Sequence, residues 1–282
     1  MGQAAPPQHR SRVPWALAVV VGLCSGLAGY VIHAARVNRI PKQVVTVKRL
    51  TDVSGAEESP AISPDGKSVA FVAAVGDKRQ IWIGKPITRD DADHFSPRWA
   101  WDSKRLIYFA AGAIWEIPAA GGEARKLADA LAAGDLSHDG KLAFFRHGDR
   151  GVELIVDSRT VAMLADGGTY SNLRWSPDDK TIAFLHDGRV IAIGVSGGDP
   201  VEAAKDFTVQ GFTWVPDDSG LIVSTHGELW FVPRKEGGSP SQLTFGELSY
   251  ESPDISADGR VVVSRSGLGA DADIVMFSGL KW

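Results

Sequence analysis

Six copies of one short pattern, a polar turn followed at once by an apolar strand, constrain this chain more than any other feature. The first copy runs from Ser63 to Phe71 and reads SPDGKSVAF. Each copy carries an aspartate at the same place, and the steps between them are 37, 37, 39, 39 and 41 residues for Asp65, Asp102, Asp139, Asp178, Asp217 and Asp258. A recurrence this regular predicts a repeat architecture.

The residue pattern of each repeat predicts four short antiparallel strands. A first strand ends three residues before the aspartate, a second follows the turn, and a third, such as Gln80–Ile83, is rich in β-branched and aromatic residues. Glycine pairs such as Gly121-Gly122 then provide tight turns into a fourth strand. Four strands in roughly forty residues are typical of a propeller blade. The predicted fold class is therefore all-β, a six-bladed β-propeller.

The sixth repeat stops after its third strand, at Trp282, but an unassigned strand-like segment, 44–51, precedes the first repeat. Leu50 lies 15 residues before Asp65, as Leu243 lies 15 residues before Asp258. We therefore predict that the N-terminal strand completes the last blade and closes the ring, which removes exposed sheet edges. The predicted propeller domain comprises residues 44–282.

The N-terminal segment has the pattern of a membrane anchor. Residues 15–35 carry no formally charged side chain and have the length of a transmembrane helix, with residues 1–14 as a short cytoplasmic tail and 36–43 as a linker. A cleaved signal peptide is the alternative, but 27–29 is a poor cleavage site. We expect a single span in the cytoplasmic membrane with the propeller on the periplasmic side, although basic residues flank both ends. Gly22 and Gly26 suggest a homodimer through this helix.

Charge and cysteine content exclude several classes of function. Residues 1–42 contain five basic residues and no acidic one, which leaves 25 Lys and Arg against 34 Asp and Glu beyond them, a balance of −9. An acidic domain without a basic, aromatic-rich run does not favour nucleic acid as a partner. The single cysteine, Cys24, lies in the apolar N-terminal segment. The repeat region therefore has no thiol that could form a disulfide, bind a metal or attack a substrate, and no cofactor is predicted.

Residues 44–282 resemble the TolB-type, WD-repeat-like six-bladed propeller family, whose blades carry a Pro-x-x-Ser-Pro-Asp-Gly-Lys signature. Residues 60–67 match it in full, whereas 97–102 and 253–259 match it in part. The resemblance implies binding and scaffolding in the cell envelope, or a sensory role beside membrane kinases and regulators, and related propellers gate peptidases. The implied partner is another envelope or signalling protein.

Motifs that suggest catalysis have simpler structural explanations. Residues 194–198 fit Gly-x-Ser-x-Gly, but they occupy the glycine hairpin that other blades share, without a following helix. The six repeated aspartates are interpreted as structural turn residues, because a catalytic group would not be copied into every blade. The seven histidines show no metal-ligand spacing, so no metal is predicted. His94, close to Asp91 and Asp93, is the one histidine retained as a candidate ligand contact.

Candidate binding residues precede the first strand of each blade, where side chains should converge on the central channel. They are Glu58, His94, Arg98, Asp135, Tyr170, Asn172, Arg174, Gln210, Glu251 and Asp254. One interpretation of this set is that opposite charges neutralise each other, Arg98 with Asp135 and Arg174 with Asp254. The other is a site for a peptide end, a small polar ligand or a cation.

The sequence leads us to expect a membrane-anchored binding or scaffold module that is not an enzyme. Two alternatives remain. One is a sensory partner of a membrane kinase or regulator. The other is a metal-dependent hydrolase or lactonase, for which Glu58, His94, Asn172 and Glu251 would have to meet at one point in the channel.

Overall fold

The computed structural model describes residues 45–267 and 272–282. The chain divides into two units, Met1–Gln43 and Val44–Trp282. The predicted tail, helix and linker lie outside the described residues. Every regular element within the described ranges is a β-strand. These ranges contain no helix that is long and apolar enough to cross a membrane.

The strands form six four-stranded antiparallel sheets, which confirms the predicted six-bladed propeller. Blade 1 contains β2 (Glu58–Ile62), β3 (Val69–Val75), β4 (Lys78–Ile83) and β5 (Lys85–Pro86). Blade 2 contains β6 (His94–Trp99), β7 (Arg105–Ala110), β8 (Ala113–Pro118) and β9 (Arg125–Asp129). Blade 3 contains β10 (Asp135–Leu136), β11 (Leu142–Gly148), β12 (Gly151–Val156) and β13 (Arg159–Leu164).

The remaining sheets follow the same order except at the end of the chain. Blade 4 contains β14 (Tyr170–Trp175), β15 (Thr181–His186), β16 (Arg189–Gly194) and β17 (Val201–Glu202). Blade 5 contains β18 (Gly211–Trp214), β19 (Gly220–Thr225), β20 (Glu228–Pro233) and β21 (Ser241–Gln242). Blade 6 contains β22 (Ser249–Ile255), β23 (Val261–Ser266) and β24 (Ala272–Ser278), and its fourth strand is β1 (Thr46–Arg49).

The ring closes between the N-terminal strand and the last blade, as the sequence predicted. β1 pairs antiparallel with β24, with Val47 opposite Phe277, and the Leu50 amide donates to the Ile274 carbonyl at 2.8 Å. The fully buried Glu57 carboxylate accepts hydrogen bonds from the Val53 amide at 2.9 Å and the Ile274 amide at 3.0 Å. Glu57 therefore stabilises the closure by linking the segment after β1 to the third strand of blade 6.

Neighbouring blades pack through a tryptophan at the end of the first strand. The Trp99 indole N–H donates to the Ala61 carbonyl of blade 1 at 2.9 Å, and Trp175 donates to the Asp135 carbonyl of blade 3 at 3.2 Å. Trp99, Trp175 and Trp214 are all buried. The apolar core is thus a series of layers between blades, to which each blade contributes one face.

The turn after each first strand is held by its aspartate. In blade 4 the Asp178 carboxylate accepts from the Ser176 hydroxyl at 2.7 Å and from the Lys180 amide at 3.0 Å, and the Ser176 hydroxyl oxygen accepts from the Thr181 amide at 2.9 Å. Corresponding turn contacts occur in the other blades at Asp65, Asp102, Asp139, Asp217 and Asp258. These contacts agree with the turn role that we propose for the six aspartates.

Candidate ligand site in the central channel

A cavity of about 340 Å³ occupies the end of the channel at which the aspartate turns lie. Three rings of equivalent positions surround it. The channel tier, four residues before each aspartate, contributes Arg98, Asp135, Arg174, Thr213 and Asp254. The tryptophan tier, one residue later, contributes Ile62, Trp99, Leu136, Trp175, Trp214 and Ile255. The rim tier, directly before the aspartate, contributes Pro64, Trp101, His138, Pro177, Pro216 and Ala257.

Irregularities in the first strands precede the channel tier. The pairing of the first strand with the second shifts register just before Arg98, Arg174 and Asp254. Two residues before Arg174, Asn172 has a φ of 47°, a left-handed conformation that asparagine adopts more readily than most residues. Such bulges bend a strand and change the direction of its side chains, which suits positions that must turn towards an axis.

Two of the four channel charges form a buried ion pair. Arg174 Nη1 lies 3.2 Å from Asp254 Oδ1, and both side chains are about nine-tenths buried. The other oxygen of Asp254 accepts from the Ile62 amide at 2.8 Å, so this carboxylate also connects blade 6 to blade 1. The predicted neutralisation of Arg174 by Asp254 is confirmed.

Arg98 is held in a different way. Its Nη1 donates to the Pro97 carbonyl at 2.8 Å and its Nη2 to the Asn172 side-chain oxygen at 3.0 Å, while its Nε has no hydrogen-bond partner among the described residues. Desolvation of the buried guanidinium and repulsion from Arg174 lower the pKa of Arg98 to about 9, so it still carries its charge at neutral pH. Arg98 is thus a buried cation that forms no ion pair with a described carboxylate.

Asp135 is the corresponding acidic side chain without a contacting cation. Its Oδ2 accepts from the Trp175 amide at 2.9 Å. Burial raises the pKa of Asp135, against the opposing effect of the nearby Arg174 charge. Within the described residues no Lys or Arg forms an ion pair with Asp135, so the expected Arg98–Asp135 pair is replaced by the Arg98–Asn172 contact. One basic and one acidic side chain in the cavity, Arg98 and Asp135, therefore have no ion-pair partner among the described residues.

Asn172 forms a polar bridge across the channel. Its side-chain oxygen accepts from Arg98 of blade 2, and its side-chain nitrogen donates to the Phe212 carbonyl of blade 5 at 2.9 Å. Asn172 precedes the channel tier along its strand, so the bridge lies on the side of the cavity away from the turns. It fixes the guanidinium plane of Arg98.

The rim of the cavity includes a stacked pair of aromatic rings. The Trp101 and His138 ring centroids are 3.6 Å apart with an interplanar angle of 18°. The His138 ring nitrogen Nδ1 lies 3.0 Å from Asp179 Oδ1, and its amide donates to the same carboxylate at 3.2 Å. Contacts from blade 2 to blade 4 thus form one side of the mouth, and the half-exposed Trp101 ring provides an apolar surface there.

The other predicted binding residues lie away from this cavity. Glu58 faces Arg79, with 3.5 Å between Oε2 and the guanidinium Nε, and Gln210 and Glu251 are exposed. Tyr170 stacks on His186 with 4.4 Å between ring centroids and belongs to the layer between blades 3 and 4. Of the ten predicted residues, Arg98, Asp135, Arg174 and Asp254 line the cavity, and Asn172 adjoins it.

His94 does not face the channel ligand site. Its ring is buried beside Tyr108, 4.9 Å between centroids, and its nitrogens contact the Arg79 carbonyl at 3.2 Å and Asp90 Oδ2 at 3.4 Å. Among residues 45–267 and 272–282, no group of three or more His, Cys, Asp or Glu side chains has an arrangement suited to a metal ion. The meeting of Glu58, His94, Asn172 and Glu251 that the lactonase alternative requires does not occur, because each has other surroundings.

Sequence reasoning missed the contribution of the rim tier. It placed the mouth at the start of the first strands, whereas the cavity lies at their ends and is bounded by the residues before the aspartates. A signal was available, because Trp101 and His138 replace the proline found at this position in three other blades. Departures from the repeat pattern therefore mark the site.

No protein-family model matches the chain. A protein described as the uncharacterized peptidase YuxL of Bacillus subtilis is 22% identical over 253 residues, which cover 80% of this chain and 32% of that protein. The chain thus spans about a third of the length of this relative.

Solved structures share the fold at low sequence identity. A gluconolactonase from Xanthomonas campestris matches with a TM-score of 0.62 and 16% identity, covering 84% of this chain and 90% of that one. TolB from Acinetobacter baumannii matches with a TM-score of 0.54 and 17% identity, covering 82% of this chain and 66% of that one. At these identities the similarity establishes the propeller fold alone.

These comparisons contradict the expectation that the chain is not an enzyme. The Bacillus subtilis relative is described as a peptidase, and the Xanthomonas campestris protein is a gluconolactonase. That expectation failed for a physical reason, because the argument from repetition concerns only the repeated positions. It showed that the repeated aspartates are poor catalytic candidates, but catalytic groups in a propeller can come from the positions that differ between blades. Asp135 and Arg98 are such positions.

Proposed function

We propose that the channel cavity binds a short zwitterionic ligand, an amino acid or the end of a peptide. The observation that carries this proposal is the pair of buried, opposite charges that do not neutralise each other, Arg98 and Asp135. Among the described residues the Arg98 guanidinium has no Asp or Glu within ion-pair distance, and the Asp135 side chain has no contacting Lys or Arg. A carboxylate of the ligand would satisfy the first group, and its ammonium group the second.

The charge balance of the cavity supports a ligand that carries both signs. Its channel tier holds two arginines and two aspartates, and one pair is already internal, between Arg174 and Asp254. A ligand with a single charge would leave one of the remaining groups buried without a counter-charge, which is costly. A zwitterion leaves neither group without a counter-charge.

The aromatic walls support a peptide or amino acid over a simple polyol. Trp99, Trp175 and Trp214 line the cavity above the charges, and Trp101 lies at the rim. Flat apolar surfaces beside a few convergent polar groups are typical of sites that hold an organic body and fix its orientation. The similarity to a protein described as a peptidase is consistent with a peptide ligand.

Calorimetric titration of the full-length chain, solubilised in detergent, with the dipeptide alanyl-phenylalanine tests the proposal. We expect binding of this peptide and at least about tenfold weaker binding of its C-terminal amide, since a charged hydrogen bond contributes roughly 1.5–3 kcal/mol. Arg98→Gln should weaken binding similarly. Arg125→Gln, at a guanidinium on an outer strand, is the matched control. Equal affinity for the acid and the amide would refute the proposal.

A second candidate function is acid–base catalysis by Asp135 on the bound ligand. It is favoured by the raised pKa of this carboxyl group inside a cavity next to an anion-binding guanidinium, which is a common property of catalytic acids. Hydrolysis of alanyl-phenylalanine and of gluconolactone above the spontaneous rate would support it. Asp135→Asn should then abolish turnover, whereas Arg98→Gln should mainly raise KM. A rate equal to the buffer rate for both compounds would exclude these two reactions.

We also propose that the domain works on the periplasmic side of the cytoplasmic membrane, anchored by residues 15–35, and meets an envelope or signalling protein there. The basis is the apolar, uncharged character of that segment. Expressed in a bacterial host, the full-length chain should remain in membranes after a carbonate wash, and protease added to spheroplasts should degrade the propeller. A protected propeller would reverse the proposed orientation.

A further inference from the structure

The mouth of the channel cavity is surrounded by apolar and aromatic side chains. The rim tier consists of three prolines, one alanine, Trp101 and His138. The charged groups belong to the channel tier, three residues earlier in each blade, and so lie deeper in the cavity. A ligand that enters with its charged groups first would therefore keep its apolar part at the rim.

Trp101 does not belong to the apolar core. Every other tryptophan among the described residues packs in one of the apolar layers, whereas Trp101 belongs to none of them. Its ring is 42% exposed, and three other blades have proline at this position. Packing of the fold thus does not account for a large aromatic side chain here.

The Trp101 ring is nevertheless held in place. His138 stacks on it with 3.6 Å between the ring centroids and an interplanar angle of 18°. The Asp179 carboxylate fixes His138, because it accepts from the His138 amide at 3.2 Å and lies 3.0 Å from Nδ1 of the ring. A stacked ring this close covers one face of the indole, so the exposed surface comprises the opposite face and the edges. Trp101 therefore presents a fixed, flat apolar surface at the mouth, which is a favourable arrangement for binding.

This surface is within reach of a ligand group held at Arg98. Trp101 follows Arg98 by three residues, so their Cα atoms are at most about 11 Å apart. Both side chains line the same cavity. One amino-acid residue of a ligand can therefore place its carboxylate at Arg98 and direct a long side chain towards Trp101. The methyl group of an alanine would leave the indole uncovered.

We propose that Trp101 selects ligands whose C-terminal residue is aromatic, with the ring of that residue stacked on the free face of the indole and its carboxylate at Arg98. Asp179 is a positioning residue, which acts through His138. This inference rests on the proposed function of the channel and adds to it the class of side chain that the site prefers.

Two dipeptides with the same charges, alanyl-phenylalanine and alanyl-alanine, test the inference by calorimetric titration of the full-length chain in detergent. We expect alanyl-phenylalanine to bind about tenfold more tightly, because aromatic stacking adds to the burial of apolar surface. Trp101→Ala should lower the affinity for alanyl-phenylalanine to that for alanyl-alanine and leave the latter unchanged. Phe245→Ala, which removes an exposed aromatic ring outside the cavity, is the matched control and should keep the preference.

Substitutions of Asp179 test its positioning role. Asp179→Ala releases His138 and should reduce the preference for alanyl-phenylalanine severalfold, whereas Asp179→Asn keeps a side-chain oxygen that can accept from the His138 amide and should retain most of it. A general loss of stability would weaken the binding of both dipeptides alike, so the ratio of the two affinities separates positioning from maintenance of the fold. An unchanged ratio in Asp179→Ala would contradict the positioning role.

The outcomes separate this inference from the proposed function. Equal affinities for the two dipeptides, both reduced by Arg98→Gln, would overturn the inference and leave the proposed function intact. A preference that survives in Trp101→Ala would assign the aromatic contact to another wall of the cavity and would also overturn the inference. Absence of binding for both dipeptides would refute the inference together with the proposed function.

Discussion

The turn aspartates and the channel tier lie only four residues apart in each repeat, yet they behave in opposite ways. All six turn aspartates have a pKa below the usual value, because serine hydroxyls, turn amides and neighbouring Lys or Arg donate to them. At Asp102 partial burial acts against this effect but is outweighed by the hydrogen bonds of Lys104 and Arg105. Asp135 in the channel tier instead has a pKa raised by burial.

The difference separates two sets of residues. The positions that repeat in every blade form what we call the frame, and the channel tier forms the candidate ligand site. Positions that repeat in every blade are satisfied locally, so they stabilise the fold and have nothing left for a ligand. Positions that differ between blades face one another across the axis, where Arg98 and Asp135 have no ion-pair partner among the described residues. Changes to the frame should therefore alter stability, and changes to the channel tier should alter binding.

The largest loss of stability should follow from deleting residues 43–51. The deletion removes β1, exposes the edge of β24, and takes away Leu50, whose amide donates to the Ile274 carbonyl, and Thr51, whose hydroxyl donates to the buried Glu57. We expect the melting temperature, followed by circular dichroism, to fall by roughly 10 °C or more, since about 1 kcal/mol corresponds to 2–4 °C at this size. Replacing residues 36–42 by a Gly/Ser segment is the control. A melt unchanged by the deletion would mean that closure contributes little to the frame.

Trp175→Ala should have the next largest effect. Trp175 is buried between blades 3 and 4, and removing a large core side chain typically costs about 3–5 kcal/mol of unfolding free energy. Trp101→Ala, at the half-exposed rim, should cost less than about 1 kcal/mol. Chemical denaturation of both variants measures the difference. Equal losses would place the rim tier in the frame.

Acid should weaken the frame through the turn aspartates. Their folded pKa values lie below that of the unfolded chain, so the stabilisation is complete above about pH 3.9 and is lost as the pH falls through the lower folded values. Asp178→Ala, which removes two turn hydrogen bonds, should cost on the order of 1 kcal/mol at pH 7 and much less near pH 2. A cost independent of pH would show that the carboxylate charge is unimportant.

Arg98→Gln should have the smallest effect on stability. It removes a buried charge that has no ion-pair partner, so the unfolding free energy should change by less than about 1 kcal/mol in either direction. Peptide binding should nevertheless be weakened by about tenfold or more in the same preparation. A loss of stability comparable to that of Trp175→Ala would assign Arg98 to the frame and remove the distinction between the two regions.

Much of the frame was predictable because it depends on local, repeated chemistry. The spacing of the aspartates gave the number of blades, and the offset of Leu50 gave the strand that closes the ring. The charges of Arg98, Asp135, Arg174 and Asp254 were also found from their position before the aspartate. In each case one repeat could be compared with the next.

The details of the site depend on contacts between blades, which the comparison of repeats does not give. Nothing in the sequence indicated that Asn172 would hold Arg98 while Asp135 accepted the Trp175 amide. His94 looked polar and accessible, but its ring is buried beside Tyr108. The side chains that the sequence placed at one mouth were divided between the cavity, the blade layers and the exposed surface.

The seam of the ring, by which we mean the pairing of β1 with β24, has a practical consequence. The first and last strands of the domain, β1 and β24, are neighbours in the sheet of blade 6, and Asp254 joins this blade to blade 1 near the axis. The domain can therefore be circularly permuted, with residue 282 linked to residue 45 and new ends opened in a hairpin of another blade. The covalent break would move around the ring, while the hydrogen bonds across the seam would remain the same.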